Sequence, residues 1–183
     1  PALSSHEVAQ GYKDIEDASL FFLCPLLGAD GERDPEGRAF LAWTTTPWTV
    51  PSNVGLAIHP HLTYAEVETT GGRRLILAEA LAEKVLGEGG TVVRRYPAQE
   101  LAGLRYQRPL DLVPVPGETG NSWTVVLEDF VSAEEGTGIV HMAPAFGADD
   151  YAAGRRHDLA LLRPVDDAGR FVAGTGVVGG MFV

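Results

Sequence analysis

Short runs of β-branched, aromatic and aliphatic residues alternate along the chain with clusters of glycine and proline. The 183 residues include 22 glycines and 12 prolines, which end strands and shape turns. Runs of this composition between turn residues are typical of strands. The pattern predicts strands over residues 20–23, 40–46, 54–58, 63–68, 74–77, 91–96, 124–131 and 138–142.

Helical spacing of apolar residues is limited to three short segments. Two are residues 78–86 and 148–157, and the third is a turn after Pro97. Gly71-Gly72 lies between two predicted strands and predicts a hairpin. Together these segments predict a mainly β fold, in which a few short α-helices decorate a barrel.

One globular domain over residues 1–183 is the predicted organisation, because a chain of this length with 45% hydrophobic residues buries one sizeable core. The chain starts at Pro1 without an initiator Met, which indicates a piece of a longer chain. Residues 1–19 and the glycine-rich residues 174–183 are the predicted junctions with that parent chain.

The cellular setting follows from two features of the composition. No apolar run approaches the roughly 18 residues that a spanning helix needs, and no basic-then-apolar leader is present, so we expect no membrane association. The single cysteine, Cys24, excludes an internal disulfide and a multi-cysteine zinc site, which favours the reducing cytoplasm. Its apolar neighbours predict a core thiol.

The charge is strongly acidic. Lysine and arginine number 14 against 25 aspartates and glutamates, a net charge of −11, which argues against a protein that coats nucleic acid through its phosphates. Local contact with the end of a nucleic-acid strand remains open through four pairs of arginines, although ordinary solvated side chains are the favoured explanation of each pair. These are residues 73–74, 94–95, 105 with 108, and 155–156.

The run Trp43-Thr-Thr-Thr-Pro-Trp-Thr-Val-Pro-Ser-Asn53 concentrates hydroxyls, two indoles and a carboxamide at the end of a predicted strand. Strand side chains alternate, so Thr44 and Thr46 point together and Thr45 points away. Pro47 has no amide hydrogen, so regular ladder pairing should fail there and leave polar groups free. The run therefore predicts one wall of a binding site.

A second run, Gly136-Thr-Gly-Ile-Val-His-Met-Ala-Pro-Ala-Phe-Gly-Ala-Asp-Asp-Tyr151, is a predicted strand that passes into a helix. Its two aspartates fall in the first helical turn, where Asp149 is expected to cap the helix. Helix capping alone does not explain why a second aspartate, Asp150, occupies the next position. His141 lies among apolar neighbours, and composition alone favours a hydrogen-bonded core histidine there.

Other catalytic templates find little support. The two histidines of His59-Pro60-His61 resemble a pair of metal ligands, but no third ligand follows at a spacing typical of a metal site. No metal site is therefore predicted. A Gly-x-Ser-x-Gly elbow, a phosphate loop and a His-Glu-x-x-His helix are all absent.

The two runs, in this order and about ninety residues apart, closely resemble the inserted editing (CP1) domain of isoleucyl-tRNA synthetase, a class I aminoacyl-tRNA synthetase. Residues 3–12 resemble the first strand of the same insert. The valyl and leucyl siblings look different, with a Thr-Thr-Arg-Pro type of sequence where this chain has Thr-Thr-Thr-Pro. The His-x-Gly-His and Lys-Met-Ser-Lys-Ser elements of the parent enzyme are absent, so amino-acid activation is not expected.

The resemblance implies a β-barrel editing domain that hydrolyses valine misattached to isoleucine tRNA. A pocket that fits isoleucine also admits valine, and a missing methylene discriminates by only about two orders of magnitude, the established figure for this very family. The expected partners are the valine-bearing 3′ end of that tRNA and the rest of the synthetase chain, with valyl-adenylate left open. The domain itself is expected to need no cofactor, since ATP, magnesium and zinc belong to the parent enzyme, and the fragment is expected to be monomeric.

The resemblance also assigns the site residues. Thr44, Thr45 and Thr46 bond the terminal adenosine and the ester, Asp150 binds the α-ammonium group, and His141 excludes isoleucine. No strong base is evident, so a water held by the threonines and assisted by the ribose hydroxyl is the expected nucleophile. The remaining substrate-binding candidates are Asn53, Trp43, Trp48, Phe146 and Ala143, of which the three aromatic residues either pack near the adenine or fill the core.

Two other functions stay open on the sequence. One is a noncatalytic module that only holds the 3′ end of the tRNA. The other is a metal hydrolase that uses His59, His61 and the aspartate pair.

Overall fold

The structure, a computed structural model, describes residues 18–115, 117 and 119–183. Nine strands, three α-helices and three short 3-10 helices occur in this part of the chain. The strands are β1 (Leu20–Leu27), β2 (Arg38–Thr44), β3 (Gly55–Ile58), β4 (Thr63–Glu68), β5 (Arg74–Ala78), β6 (Thr91–Pro97), β7 (Arg105–Tyr106), β8 (Thr124–Leu127) and β9 (Ile139–Met142). The α-helices are α1 (Glu79–Leu86), α2 (Ala98–Leu101) and α3 (Ala148–Arg156), and the 3-10 helices are Pro47–Ser52, Gly87–Gly89 and Gly176–Val178.

Six of the strands close into a barrel. Their order is β1-β7-β8-β3-β9-β2, and an antiparallel pairing of β1 with β2 completes the ring. β3 lies between β8, to which it is parallel, and β9, to which it is antiparallel. Closure gives each strand of the ring two neighbours and so removes free edges. The predicted mainly β barrel with a few short helices is confirmed.

A three-stranded extension, which we call the flap sheet, branches from β2. Residues 38–40 of β2 pair in parallel with β5, whereas Trp43 near the end of β2 pairs with Val140 of β9. From β5 the flap sheet continues antiparallel through β4 to β6. The predicted hairpin joins β4 to β5, with Gly72 at φ 74°, a left-handed conformation that glycine adopts without strain.

The core fills the barrel and continues under the flap sheet. Phe40, Leu56 and Ile58 are completely buried inside the barrel, together with Cys24. The prediction of a core thiol is thus confirmed, and burial raises the pKa of the Cys24 thiol, which makes it a poor nucleophile. A second apolar layer joins β2 to the flap sheet and α1 through Leu41, Leu75, Leu77 and Ala82.

All eight predicted strands and three predicted helices are present, and all of them except β4 have shifted ends. β2 stops at Thr44 because Pro47 begins a 3-10 helix over Pro47–Ser52, which was not predicted. β7 was also missed, because its two residues are too few to show a period. Residues 1–17, which hold the segment 3–12 and most of one predicted junction, lie outside the described residues. Within the other predicted junction, Phe182 forms an isolated antiparallel β-bridge with Arg170.

Candidate functional site

The two sequence runs meet at one cavity at the end of the barrel. Pairing of Trp43 with Val140 sets the end of β2 beside β9, so the segments that follow these strands face each other. The cavity has a volume of about 280 Å³. Its lining consists of Trp43, Thr44, Thr45, Thr46, Thr49, Val140, His141, Ala143, Phe146 and Asp150.

Size does not single out this cavity, since a cleft of about 460 Å³ lies between α1 and β6. That larger cleft is lined by three glutamates, Glu79, Glu83 and Glu88, above apolar residues. The smaller cavity instead combines hydroxyls, an imidazole and a carboxylate. It is therefore the better candidate on chemistry.

The threonines that line the cavity, Thr44, Thr45 and Thr46, lie in a turn and not along one face of a strand. Thr44 is the last residue of β2, and its Oγ1 accepts a hydrogen bond from the backbone N–H of Thr46 at 3.0 Å. The hydroxyls of Thr44 and Thr46 lie 3.2 Å apart, so they point together as predicted, although the reason is a side-chain turn. Thr44 is buried, whereas Thr45 and Thr46 are exposed at the mouth.

Thr49 links this wall to the histidine and was not assigned a role from the sequence. Its hydroxyl donates to the carbonyl oxygen of Thr46 at 2.8 Å and lies 2.9 Å from Nε2 of His141. A proline at position 47 is typical of the first turn of a helix. One helical turn after Thr46 brings Thr49 to the same side, and this spacing could have identified it.

His141 presents a fixed, uncharged ring. The single hydroxyl hydrogen of Thr49 is used on Thr46, so Thr49 accepts from His141 and the proton of the ring lies on Nε2. Nδ1 is enclosed and has no hydrogen-bond partner among the described residues. Burial lowers the pKa of His141 to about 4, which keeps the ring neutral at pH 7. The ring of Phe22 packs against it in a T-shaped arrangement, with ring centroids 5.9 Å apart.

Asp150 reaches the cavity from the first turn of α3. Its Oδ2 accepts a hydrogen bond from the backbone N–H of Ala143 at 2.8 Å, whereas its Oδ1 bonds to none of the described residues. Burial raises the pKa of Asp150, against the lowering effect of the Ala143 N–H and with a small further rise from the charge of Asp149. The carboxylate is thus held by one oxygen and leaves the other free.

The expectation that Asp149 caps α3 is wrong. The N-cap residue is Gly147, and no side chain makes a capping hydrogen bond there. Asp149 lies two residues past the cap and is exposed. Its charge still falls in the first turn, where the helix dipole favours an anion.

Two of the predicted site residues do not line the cavity. Asn53 is completely buried, donates from Nδ2 to the carbonyl oxygen of Gly55 at 3.0 Å and accepts from the hydroxyl of Tyr106 at 2.7 Å. Its amide thus ties the end of the 3-10 helix to β3 and β7. Trp48 packs edge-on against Phe146, with centroids 4.9 Å apart, and supports the wall from behind.

Some of the other predicted residues line the cavity, whereas the proposed metal pair lies elsewhere. Trp43, Ala143 and Phe146 line the cavity beside the threonines, His141 and Asp150. His59 and His61 lie close to each other, but His59 Nδ1 accepts the backbone N–H of His61 at 3.2 Å. Among the residues that the structure describes, no three His, Cys, Asp or Glu side chains cluster as metal ligands, and no helix is long and apolar enough to cross a bilayer.

The chain is similar in sequence to curated isoleucine–tRNA ligases. It is 46% identical over 175 residues to the protein of Thermus thermophilus, which covers 93% of this chain and 16% of the relative. It is 47% identical over 182 residues to the protein of Clostridium novyi, which covers 100% of this chain and 17% of the relative. The chain therefore spans about one sixth of the length of these relatives. No family model matches it.

Solved structures of related architecture are editing domains of leucyl enzymes. The crystal structure of GlLeuRS-CP1 matches 75% of this chain and 59% of its own with a TM-score of 0.61 and 18% identity. The editing domain of the P. knowlesi cytosolic leucyl-tRNA synthetase matches 81% of this chain and 66% of its own with a TM-score of 0.57 and 14% identity. At such low identity the likeness shows a common fold and nothing finer.

Proposed function

The chain belongs to the isoleucine–tRNA ligase family as a segment with the fold of an editing domain, and we propose that it hydrolyses valine wrongly esterified to isoleucine tRNA. One observation carries the proposal: the threonine turn and the His141–Asp150 segment wall a single cavity. A synthetic site cannot reject a smaller amino acid strongly, so a second site that excludes the larger, correct product is needed.

Asp150 is the proposed partner of the α-ammonium group of the substrate. Its free Oδ1 lies in a partly buried carboxylate, where a charge-assisted hydrogen bond is stronger than a neutral one. An ammonium group beside it favours the ionised carboxylate and so offsets the burial that raises its pKa. This contact selects an aminoacyl ester with a free amino group.

His141 is the proposed barrier to isoleucine. Its ring is clamped between the hydroxyl of Thr49 and the ring of Phe22. A ring held on two sides cannot move away from an added methyl group without breaking one of these contacts, and forcing extra carbon into a packed site costs about 1–3 kcal/mol. The isopropyl group of valine avoids this cost.

The hydrolytic step is assigned to an oriented water. His141 is unsuited to act as a general base, because its Nε2 carries the proton and its Nδ1 is enclosed. Asp150 is occupied by the ammonium group. The exposed hydroxyls of Thr45 and Thr46 lie at the mouth, where they can hold a water beside the ester. As this water attacks the carbonyl carbon and the bond from that carbon to the ribose oxygen breaks, the free ribose hydroxyl of the substrate relays a proton from the water to the departing ribose oxygen. Such positioning is worth several kcal/mol in a preorganised site.

A deacylation assay tests the proposal. The chain, at high concentration, should release valine from isoleucine tRNA and leave the isoleucyl ester intact. Intact valyl ester, together with binding of a nonhydrolysable valyl-adenosine analogue, would instead support the noncatalytic 3′-end module. Added valyl-adenylate distinguishes pre-transfer from post-transfer editing.

The remaining parts of the proposal follow from the same assignment. The reaction needs no cofactor, so a chelator should leave the rate unchanged, whereas a metal hydrolase built on His59 and His61 would lose activity. The partners are the 3′ end of the tRNA and the rest of the synthetase, and the setting is protein synthesis in the cytoplasm.

A further inference from the structure

An aromatic pair, formed by the exposed Phe21 and the half-buried Trp43, lies at the mouth of the cavity. Phe21 of β1 lies directly opposite Trp43 of β2, and the two ring centroids are 6.4 Å apart at an interplanar angle of 42°. Directly opposed side chains on antiparallel strands share one face of the sheet. Phe21 is 49% exposed, and Trp43 also lines the cavity. The two rings thus form a surface, which we call the Phe21 platform, that continues outward from the cavity.

The branch in the sheet explains why this face is uncovered. The flap sheet pairs with β2 only over residues 38–40 and covers Leu41 on that face. Farther along β2, at Trp43, the neighbouring strand is β9 and no longer β5 of the flap sheet. The indole of Trp43 packs against Gly136 so closely that a Cβ on this glycine would lie 2.5 Å from Trp43 Cε3. The absence of a side chain at Gly136 thus lets the backbone approach the Trp43 indole closely beside the cavity.

We propose that Phe21 is a stacking surface for the base of the nucleotide that precedes the terminal adenosine of the tRNA. This inference rests on the proposed function, since it assumes that the cavity receives an aminoacyl ester on the last nucleotide. The single strand that delivers that nucleotide must pass the mouth of the cavity, where Phe21 lies one aromatic ring beyond Trp43. Exposed aromatic side chains bind successive bases of single strands in a sequence-tolerant way.

The charges around the cavity favour stacking over phosphate contacts. No lysine or arginine lines the cavity, and the chain carries a net charge of −11. Five of the eight paired arginines form ion pairs with carboxylates, namely Arg74, Arg94, Arg95, Arg108 and Arg156. Affinity for the preceding nucleotide should therefore come from its base and depend only weakly on salt.

The single-stranded end of the tRNA has a second possible route into the site, which the same experiment can test. Tyr151 and Arg155 lie one helical turn apart on α3 and line a cleft of about 410 Å³ with Pro144 and Leu161. Tyr151 is as exposed as Phe21, at 49%. This cleft shares no lining residue with the candidate cavity, whereas the Phe21 platform shares Trp43, which is why we favour the platform.

The test compares two valyl esters that differ by one nucleotide. Valyl-adenosine probes the cavity alone, and the valyl ester of cytidylyl-adenosine adds the preceding base and its phosphate. We expect kcat/KM to rise about tenfold from the first to the second, a typical gain for one stacked base. Phe21→Leu, which keeps an apolar side chain, should abolish the gain and leave valyl-adenosine unaffected, whereas Phe21→Trp should preserve it.

Controls separate the inference from its premise. Phe130→Leu changes another exposed phenylalanine, outside the lining of the cavity, and should preserve the gain. The gain should change little between low and high salt. Survival of the gain in Phe21→Leu, its loss in Tyr151→Leu, or its absence in the wild type would overturn the stacking role while leaving the proposed function intact. Failure of the wild type to hydrolyse valyl-adenosine would overturn the proposed function and the inference with it.

Discussion

The candidate cavity and the flap sheet each bury a cluster of polar side chains, yet the two clusters are built in opposite ways. In the flap sheet, Glu66 is 2% exposed and accepts hydrogen bonds from Tyr96 at 2.6 Å and from Arg74 at 3.3 Å. Arg38 in turn contacts the Tyr96 hydroxyl at 3.4 Å and forms an ion pair with Asp34 at 2.6 Å. Each charged group there has a partner.

In the candidate cavity several polar groups either lack a partner or face the mouth. Oδ1 of Asp150 and Nδ1 of His141 have no partner among the described residues, and the hydroxyls of Thr45 and Thr46 face the mouth. Buried polar groups are normally satisfied within the protein, because an unsatisfied one costs free energy. The difference shows that burial of charge alone does not mark a site in this molecule. Incompletely satisfied groups beside a cavity are the feature that distinguishes the candidate site from the flap sheet.

Loss of Asp150 should give the largest effect on chemistry. Asp150→Ala removes the carboxylate proposed to hold the ammonium group, and a charge-assisted hydrogen bond of about 3 kcal/mol corresponds to roughly 100-fold in kcat/KM. The measurement is hydrolysis of Val-tRNA, with Asp149→Ala as the exposed neighbouring control. Full activity in Asp150→Ala would end the ammonium role.

Glu66→Ala should act on stability and leave the chemistry alone. The truncation leaves Arg74 and the hydroxyl of Tyr96 without the acceptor that they share. This loss should lower the free energy of unfolding by about 2 kcal/mol. Urea denaturation measures this loss, and Glu66→Gln, which keeps an acceptor, should lose less. A large drop in kcat/KM of the folded Glu66→Ala protein would contradict the division between the two clusters.

His141→Ala should change selectivity more than rate. Removal of the ring opens space for the extra methyl group of isoleucine, and one such group is worth about 1–3 kcal/mol, so hydrolysis of Ile-tRNA should rise at least tenfold relative to Val-tRNA. The measurement is the ratio of the two deacylation rates. Unchanged protection of Ile-tRNA would remove His141 from the exclusion role.

Thr49→Val should produce a smaller change of the same kind. The substitution keeps the shape of the side chain but leaves the Nε2–H of His141 without an acceptor, so the ring loses one of its two clamps. We expect severalfold weaker discrimination against Ile-tRNA with little loss of Val-tRNA hydrolysis, and recovery in Thr49→Ser, which restores the hydroxyl. Equal selectivity in Thr49→Val and the wild type would show that Phe22 alone holds the ring.

Local pattern was enough to predict most of the secondary structure. The strand over residues 63–68 was predicted at its observed bounds, because alternating residues and the Gly71-Gly72 turn specify both ends. The cluster of Pro47 and Pro51 was harder, because the first proline ends the strand pattern and also begins a 3-10 helix. As a result Thr49 was overlooked, although it lies in the most informative segment of the chain.

The sequence by itself determined the order and type of most of the elements, the buried thiol, and the two runs whose side chains suggested a site. Only the tertiary structure decided which of those side chains reach the cavity, since it turned Asn53 into the interior and brought Thr49 onto His141. The physical reason is the range of the contacts. Strand and turn preferences act between neighbours, whereas the pairing of β2 with β9 joins residues almost a hundred positions apart, and it depends on how the whole barrel closes.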